Sequence, residues 1–320
     1  MRRYLILLAT FLTVFQSHAQ RFRLELLRYE NLSDSPALKE DPFFGGISGI
    51  DYVGGNWYLI TDGRDPDRTS YLFSFDSTFQ TQTYRRWALR GVRGAESLRY
   101  RSGEGAFYLT TEEGSGEAHG QVIRWTKDST AIPIGSYTGF PNNKGYEGLA
   151  LAPDSLLWGA SEWPEQEQSP YARVFAYDLR KKDTVVTAFY PLVRDACGYP
   201  DNGISDILLT PEKEMIVMER CWSGEKDKSR FTIQLYVVSA LPRPVPGESK
   251  TAHILAKTPL NVRWDSLRPD NLEGMTWGPV IDGHRTLVLI SDNNFNKFDA
   301  GKASRRRQKT QLIFFKLVPI

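Results

Sequence analysis

Nine carboxylates recur in this chain at positions set by a repeated pattern. Asp62, Glu112, Glu162, Glu219 and Asp292 each close a short apolar run, while Glu96, Glu147, Asp206 and Glu273 stand near the start of the run before it. Brought together, such groups cannot all stay ionised without cations, because like charges at close range raise one another's pKa. A hard, oxygen-seeking ion resolves the repulsion, and calcium suits carboxylates, backbone carbonyls and asparagine oxygens. Asn202, Asn293 and Asn294 supply neutral oxygens in the same segments. The competing reading is that these acids cap turns and pair with arginines, since Arg64, Arg173, Arg220 and Arg230 share those segments. Arg64, Lys144, Arg173 and Arg220 are also placed to receive a phosphate or carboxylate, for which the arginine fork is well shaped. Arg305-Arg306-Arg307 is either a solvated run or a further contact for an anion.

The pattern that carries the acids has five copies. A Gly or Asn precedes an apolar or small residue, then Ser or Glu, a short strand, a tight turn, and a second strand ending in an acid. The copies open at Gly46-Ile47-Ser48-Gly49-Ile50, Gly94-Ala95-Glu96-Ser97-Leu98, Gly145-Tyr146-Glu147-Gly148-Leu149, Gly203-Ile204-Ser205-Asp206-Ile207 and Asn271-Leu272-Glu273-Gly274-Met275. Their third residues are 48, 51, 58 and 68 positions apart, the period of a four-stranded propeller blade. Further β-branched or aromatic runs follow each pair, at 71–75 and 84–89, 122–126 and 132–137, 173–177 and 185–190, and 231–238 and 253–256. The fifth unit has only 311–317 before the chain ends, so 21–29 is its expected outer strand, closing the ring and removing an open edge. The expected fold is therefore all-β, a single propeller of five four-stranded blades, with six as the alternative. Antiparallel order puts the acids, the second-to-third strand loops and the interblade connections on one face, where the long loops 63–70, 113–120, 163–171, 191–202, 220–230, 258–270 and 293–310 also fall.

Composition agrees. The 320 residues include 26 Gly, 18 Pro and 12% aromatics, too many turn formers and rings for a helical bundle, while 41% hydrophobic content excludes disorder. Arg2 and Arg3 precede an apolar run, 4–15, that ends in Ser17-His18-Ala19, which reads as a signal peptide cleaved after Ala19. The run is short for a membrane span, so stable membrane insertion is not expected, and residues 20–320 form one exported domain, periplasmic or extracellular and expected to be a monomer. Removing the two arginines leaves basic residues equal to the 38 acidic ones, which gives no electrostatic reason to expect a nucleic-acid partner. Export permits a disulfide. Cys197 lies six residues before the Gly203 strand and Cys221 two residues after Glu219, at one end of one hairpin, so the two are expected to pair.

Other chemistries fit poorly. Three histidines remain after cleavage, His119, His253 and His284, in unrelated contexts, which disfavours a zinc site or a Ser-His-Asp triad. The sequence has no Gly-x-Ser-x-Gly elbow and no phosphate-binding Gly-x-x-x-x-Gly-Lys loop. Trp57, Trp125, Trp158 and Trp277 fall inside strands and read as packing between blades, whereas Trp163 and Trp222 follow acidic strand ends and read as pocket walls.

Six stretches resemble the signature segments of the phytase-like domain family, "esterase-like activity of phytase". They are Gly46-Ile47-Ser48-Gly49-Ile50, Tyr146-Glu147-Gly148-Leu149, Asp201-Asn202-Gly203-Ile204-Ser205-Asp206, Glu219-Arg220, Asn271-Leu272-Glu273-Gly274-Met275 and Ser291-Asp292-Asn293-Asn294-Phe295. The resemblance implies an exported propeller with recurring Glu and Asp and a phosphoester-hydrolysing role. The expected activity is then calcium-dependent hydrolysis of a small phosphorylated or anionic molecule. Glu147, Glu273 and Glu219 would handle metal or water, Asp62, Glu96, Glu112, Glu162, Asp206, Asp292 and Asn293 would complete the metal set, and Arg64, Lys144, Arg173, Arg220 and Asn294 would bind substrate. The alternatives are a ligand-binding propeller without catalysis and a metal-dependent lactonase or sugar-ester hydrolase, since fold alone does not choose.

Overall fold

A computed structural model describes residues 22–320 except 64–68, 113–119, 129–130, 137–143, 167, 224–229, 245–251 and 296–307. The segment expected to be a leader, Arg64, His119 and Arg305 to Arg307 lie outside the described residues, as do parts of the long loops. Five mainly antiparallel sheets, three of four strands and two of five where the sequence predicts four throughout, form five blades around one axis. The inner strands are Ile47–Val53, Ala95–Arg101, Tyr146–Leu151, Gly203–Leu209 and Asn271–Trp277, one from each motif copy. Phe22–Asn31 pairs antiparallel with Gln311–Pro319, so the N-terminal strand completes the fifth blade as the sequence predicts.

One outer strand departs from expectation. Ala252–Ile254 does not finish the fourth blade but adds in parallel to Asp183–Pro191 of the third, and Thr258–Pro259 pairs with Arg230–Val238 instead. Pro242 and Pro244, just past Val238, offer no N–H to a ladder, so the chain leaves the fourth sheet before it can turn back. The hairpin joining the first two strands of the first blade is tight because Gly54 and Gly55 take φ of 60° and 76°, a conformation that costs glycine least.

Aromatic and branched side chains fill the spaces between blades. Trp57, Trp125 and Trp158 are buried there, and Trp277 donates its indole N–H to the Leu209 carbonyl of the neighbouring blade at 2.8 Å. Nearer the axis the inner strands leave almost no room. A Cβ on Gly148 would stand 3.0 Å from the Ile207 nitrogen, and one on Gly274 3.1 Å from the Gly49 Cα. The fourth motif position is accordingly Gly49, Ser97, Gly148 and Gly274 in the first, second, third and fifth blades, and Asp206 in the fourth.

Asp206 uses the space its neighbours vacate. Its carboxylate accepts from the Leu149, Ile207 and Met275 amides at 3.4, 2.8 and 2.7 Å, from Ser97 Oγ at 3.3 Å, and from the Arg99 guanidinium at 3.1 Å. Arg99 also donates to the carbonyls of Ile50, Leu98 and Ile207. Nearby, Asp51 accepts from the Tyr100 amide and from Thr276 Oγ1. This network ties all five blades together through one ion pair whose two side chains are 4% and 0% exposed.

Cys197 and Cys221 are disulfide-bonded, their Cα atoms 6.1 Å apart. Two outcomes follow. Arg99→Ala leaves Asp206 buried and uncompensated, so it should destabilise the fold by about 3–5 kcal/mol in chemical denaturation. Thiol labelling of the unreduced, unfolded protein should find no free cysteine, and Cys197→Ser with Cys221→Ser should cost about 3 kcal/mol through the lost loop constraint.

Candidate functional site

The acids converge because of a defect repeated five times. Each inner strand carries a one-residue bulge between the second and fourth motif positions, at Ile47/Gly49, Ala95/Ser97, Tyr146/Gly148, Ile204/Asp206 and Leu272/Gly274. The third residue falls in that irregular step, and a bulge re-aims the side chain it carries. The bulged residues are Ser48, Glu96, Glu147, Ser205 and Glu273, so three of five blades present a glutamate.

Register assigns the partner ring. Thr61, Thr111, Ser161 and Ser291 sit opposite the second motif residue, and the acids Asp62, Glu112, Glu162 and Asp292 follow one residue later. In the fourth blade the residue opposite Ile204 is Glu219 itself, and the one that follows is Arg220. The expectation of an acid at all five strand ends is therefore corrected by one residue: four acids and one arginine form the ring. Glu219, on the other side of its strand by the period-two alternation, faces the third blade. There it accepts from Tyr190 Oη and Asn202 Nδ2, both at 2.7 Å, and pairs with Lys257. Asp206 is likewise absent from the acidic cluster, since its oxygens serve Arg99 and the backbone amides.

At the axis, Glu96, Glu147 and Glu273 each bring one carboxylate oxygen within 4.8 Å of the others, and so do Glu112, Glu147 and Glu162. Arg220 crosses the cluster, pairing with Glu273 and donating to Glu162 Oε1 at 3.4 Å and to Asn271 Oδ1 at 3.0 Å. Asn271 Nδ2 donates to Glu273 at 2.6 Å, and the Gly145 amide donates to Glu112 at 3.1 Å. Lys144 holds Glu162 at 2.8 Å and Asp201 at 3.7 Å. Among the described residues, the buried oxygens Glu147 Oε2 and Glu162 Oε2 have no hydrogen-bond partner.

The remaining candidates scatter. Arg173 pairs with Glu165 at 2.7 Å on the third strand of its blade. Asn294 turns its amide to Gln308, while its backbone N–H caps Asp292 at 2.7 Å. Asn293 Oδ1 accepts from the Gly46 and Phe295 amides, seaming the first blade to the fifth beside Asp62. Trp163 lies under the Lys144 ammonium and the Arg194 guanidinium. Arg99 and Asn271 were not singled out from sequence, although Asn271 stands where the other four copies have Gly, and Arg99 is a charge inside an inner strand.

Burial and mutual repulsion shape the titration of this cluster. Burial first, then Glu162, pushes Glu112 up to about 7, and burial with Glu273 pushes Asp292 up to about 7. Glu147 is raised well above the usual range by burial and by Glu96, Glu162, Glu112 and Glu273 around it. Burial raises Glu273 as well, against the pull of Arg220. Lys144 is held more firmly protonated because Glu162 outweighs the cost of its burial. An arrangement of this kind favours cations, and among the described residues Lys144 and Arg220 are the basic side chains paired with it.

A five-bladed propeller with an acidic site around one end of its axis defines the class of protein. The chain belongs to the phytase-like family described as "esterase-like activity of phytase", whose family model matches residues 42–295. Among solved structures, an α-L-arabinofuranosidase from Podospora anserina in complex with cellotriose aligns with 94% of this chain and 98% of its own, at 7% identity and a TM-score of 0.51. An arabinanase from Bacillus subtilis aligns over 85% and 94% at 12% identity and a TM-score of 0.48. An endo-arabinase from Bacteroides thetaiotaomicron aligns over 86% and 93% at 11% identity and 0.49. At such identities the likeness is one of fold. No curated protein matches the sequence.

The raised carboxylates set a pH dependence. Between about pH 4.5 and pH 7 the folded state keeps protons on Glu112 and Asp292 that the unfolded chain has already released. Their stabilisation is present below that window and is lost as pH rises through about 7. In chelator, the melting temperature should therefore fall from pH 5 to pH 8.

Proposed function

We propose that the protein is an exported, calcium-dependent phosphoester hydrolase acting on a small phosphorylated molecule at the acidic end of the axis. The observation that carries this reading is the pair of buried, unpartnered oxygens on Glu147 and Glu162, each inside a group of three converging carboxylates. The donor set is all oxygen and mostly anionic, the chemistry of a hard divalent cation. Family membership favours phosphate esters as the substrate class. The disulfide suits an oxidising compartment, and among the described residues no helix is long and apolar enough to cross a membrane.

Glu96, Glu147 and Glu273, with Glu112 and Glu162, would hold the cation, and when bound it would polarise a phosphoryl oxygen and acidify a water. The chain's own groups do the rest. Arg220 and Asn271 fix the orientation of Glu273, and the Gly145 amide fixes Glu112. Arg220 and Lys144 are the basic groups at the cluster and would offset the charge of a bound phosphate. Glu219 and Arg173, engaged elsewhere, take no part in the chemistry. One observation favours a ligand-binding propeller instead: Arg220 and Lys144 already compensate Glu162 and Glu273, as structural acids would be compensated.

A panel of phosphomonoesters and phosphodiesters, assayed with calcium and with chelator, separates the two. Turnover that depends on calcium and falls by orders of magnitude in Glu147→Gln and Glu273→Gln, with the fold retained by circular dichroism, is expected. Absence of turnover across the panel in the parent protein selects the binding propeller.

A further inference from the structure

The two carboxylate groups at the axis have one member in common. Glu147 belongs both to the set with Glu96 and Glu273 and to the set with Glu112 and Glu162. It is 4% exposed, its Oε2 has no hydrogen-bond partner, and neither Lys144 nor Arg220 pairs with it. The basic groups instead flank the cluster, Lys144 at Glu162 and Arg220 between Glu162 and Glu273. Among the described residues, the centre of the acidic site is thus the part without a direct ion pair, with Arg220 reaching Glu147 only through longer-range attraction.

We infer that the site takes two divalent cations, one in each carboxylate group, with Glu147 as the ligand shared between them. This inference rests on the metal-dependent reading above and deepens it. Each group brings three carboxylate oxygens within 4.8 Å of one another, a ligand set for one ion apiece. A carboxylate offers an oxygen to each of two ions, and Glu147 stands where both sets meet. Paired cations clamping the attacking and leaving oxygens are a recurrent device for in-line displacement at phosphorus.

Titration calorimetry with calcium on the intact, metal-stripped protein tests this without reference to turnover. The expected stoichiometry is two ions per chain. Glu96→Gln and Glu112→Gln should each keep one ion, the double variant should keep none, and Glu147→Gln should weaken both sites at least as much as either single variant weakens its own. Terbium luminescence on the same variants gives a second readout of occupancy, and melting curves confirm that each is folded. A stoichiometry of one in the parent, or a Glu147→Gln protein that keeps one site at parental affinity, overturns the inference while leaving a metal-dependent hydrolase in place. No binding at all overturns both. Two ions bound by a protein with no phosphoesterase activity upholds the inference and removes the phosphoester reading.

Discussion

Five inner strands approach so closely around the axis that, at the fourth motif position, a side chain from one blade needs all the others to give way. Gly49, Gly148 and Gly274 give way completely, Ser97 contributes a hydroxyl, and Asp206 takes the room. A lone carboxylate there would carry the full cost of desolvation. Arg99 meets that cost with a guanidinium that also satisfies carbonyls from three blades. The acidic end of the axis therefore rests on a polar plug that excludes solvent from one side, and this is why its glutamates are buried even though they line a site.

Burial makes the charge imbalance severe. Two carboxylates about 4 to 5 Å apart repel by roughly 3 to 4 kcal/mol at an effective dielectric near 20, and the axis holds several such pairs. The two ion pairs made by Arg220 and the one made by Lys144 cannot offset that number of repulsions. The cluster must take up protons, which is the direction in which Glu112, Glu147, Glu273 and Asp292 all shift, or take up cations. The first answer suffices for folding below neutral pH. The second is the one that leaves carboxylates ionised and useful at the pH where Glu112 and Asp292 give up their protons.

How much of this was legible depended on whether a residue obeyed the repeat or broke it. Glu96, Glu147 and Glu273 share one motif position, so their convergence could be read from spacing, and so could ring closure by the N-terminal strand. The bulges could not, because a one-residue irregularity leaves composition and periodicity intact while changing which face each side chain takes. That is how Glu219 was aligned with Asp62, Glu112, Glu162 and Asp292 when Arg220 is their equivalent. Asp206 was read as a ligand because its charge is visible in sequence and its partner, Arg99, is more than a hundred residues away. The departures from the motif, Asn271 for Gly and Arg220 for an acid, mark the two groups that grip Glu273.

Glu219 shows what the one-residue offset does for the site it does not join. Pointing between the third and fourth blades, it anchors Asn202, whose amide also holds the Val193 carbonyl, so both ends of the 191–202 loop are tied to one carboxylate. The Cys197 to Cys221 bond fixes the middle of the same loop to the strand that carries Glu219 and Arg220. That loop delivers Asp201 to Lys144, and the ammonium, drawn by Asp201 and seated over Trp163, reaches Glu162 and not Glu147. The acid that left the ring thus helps keep the nearest lysine off its centre, and the lack of a direct ion pair at Glu147 among the described residues is a product of how the fourth blade is built.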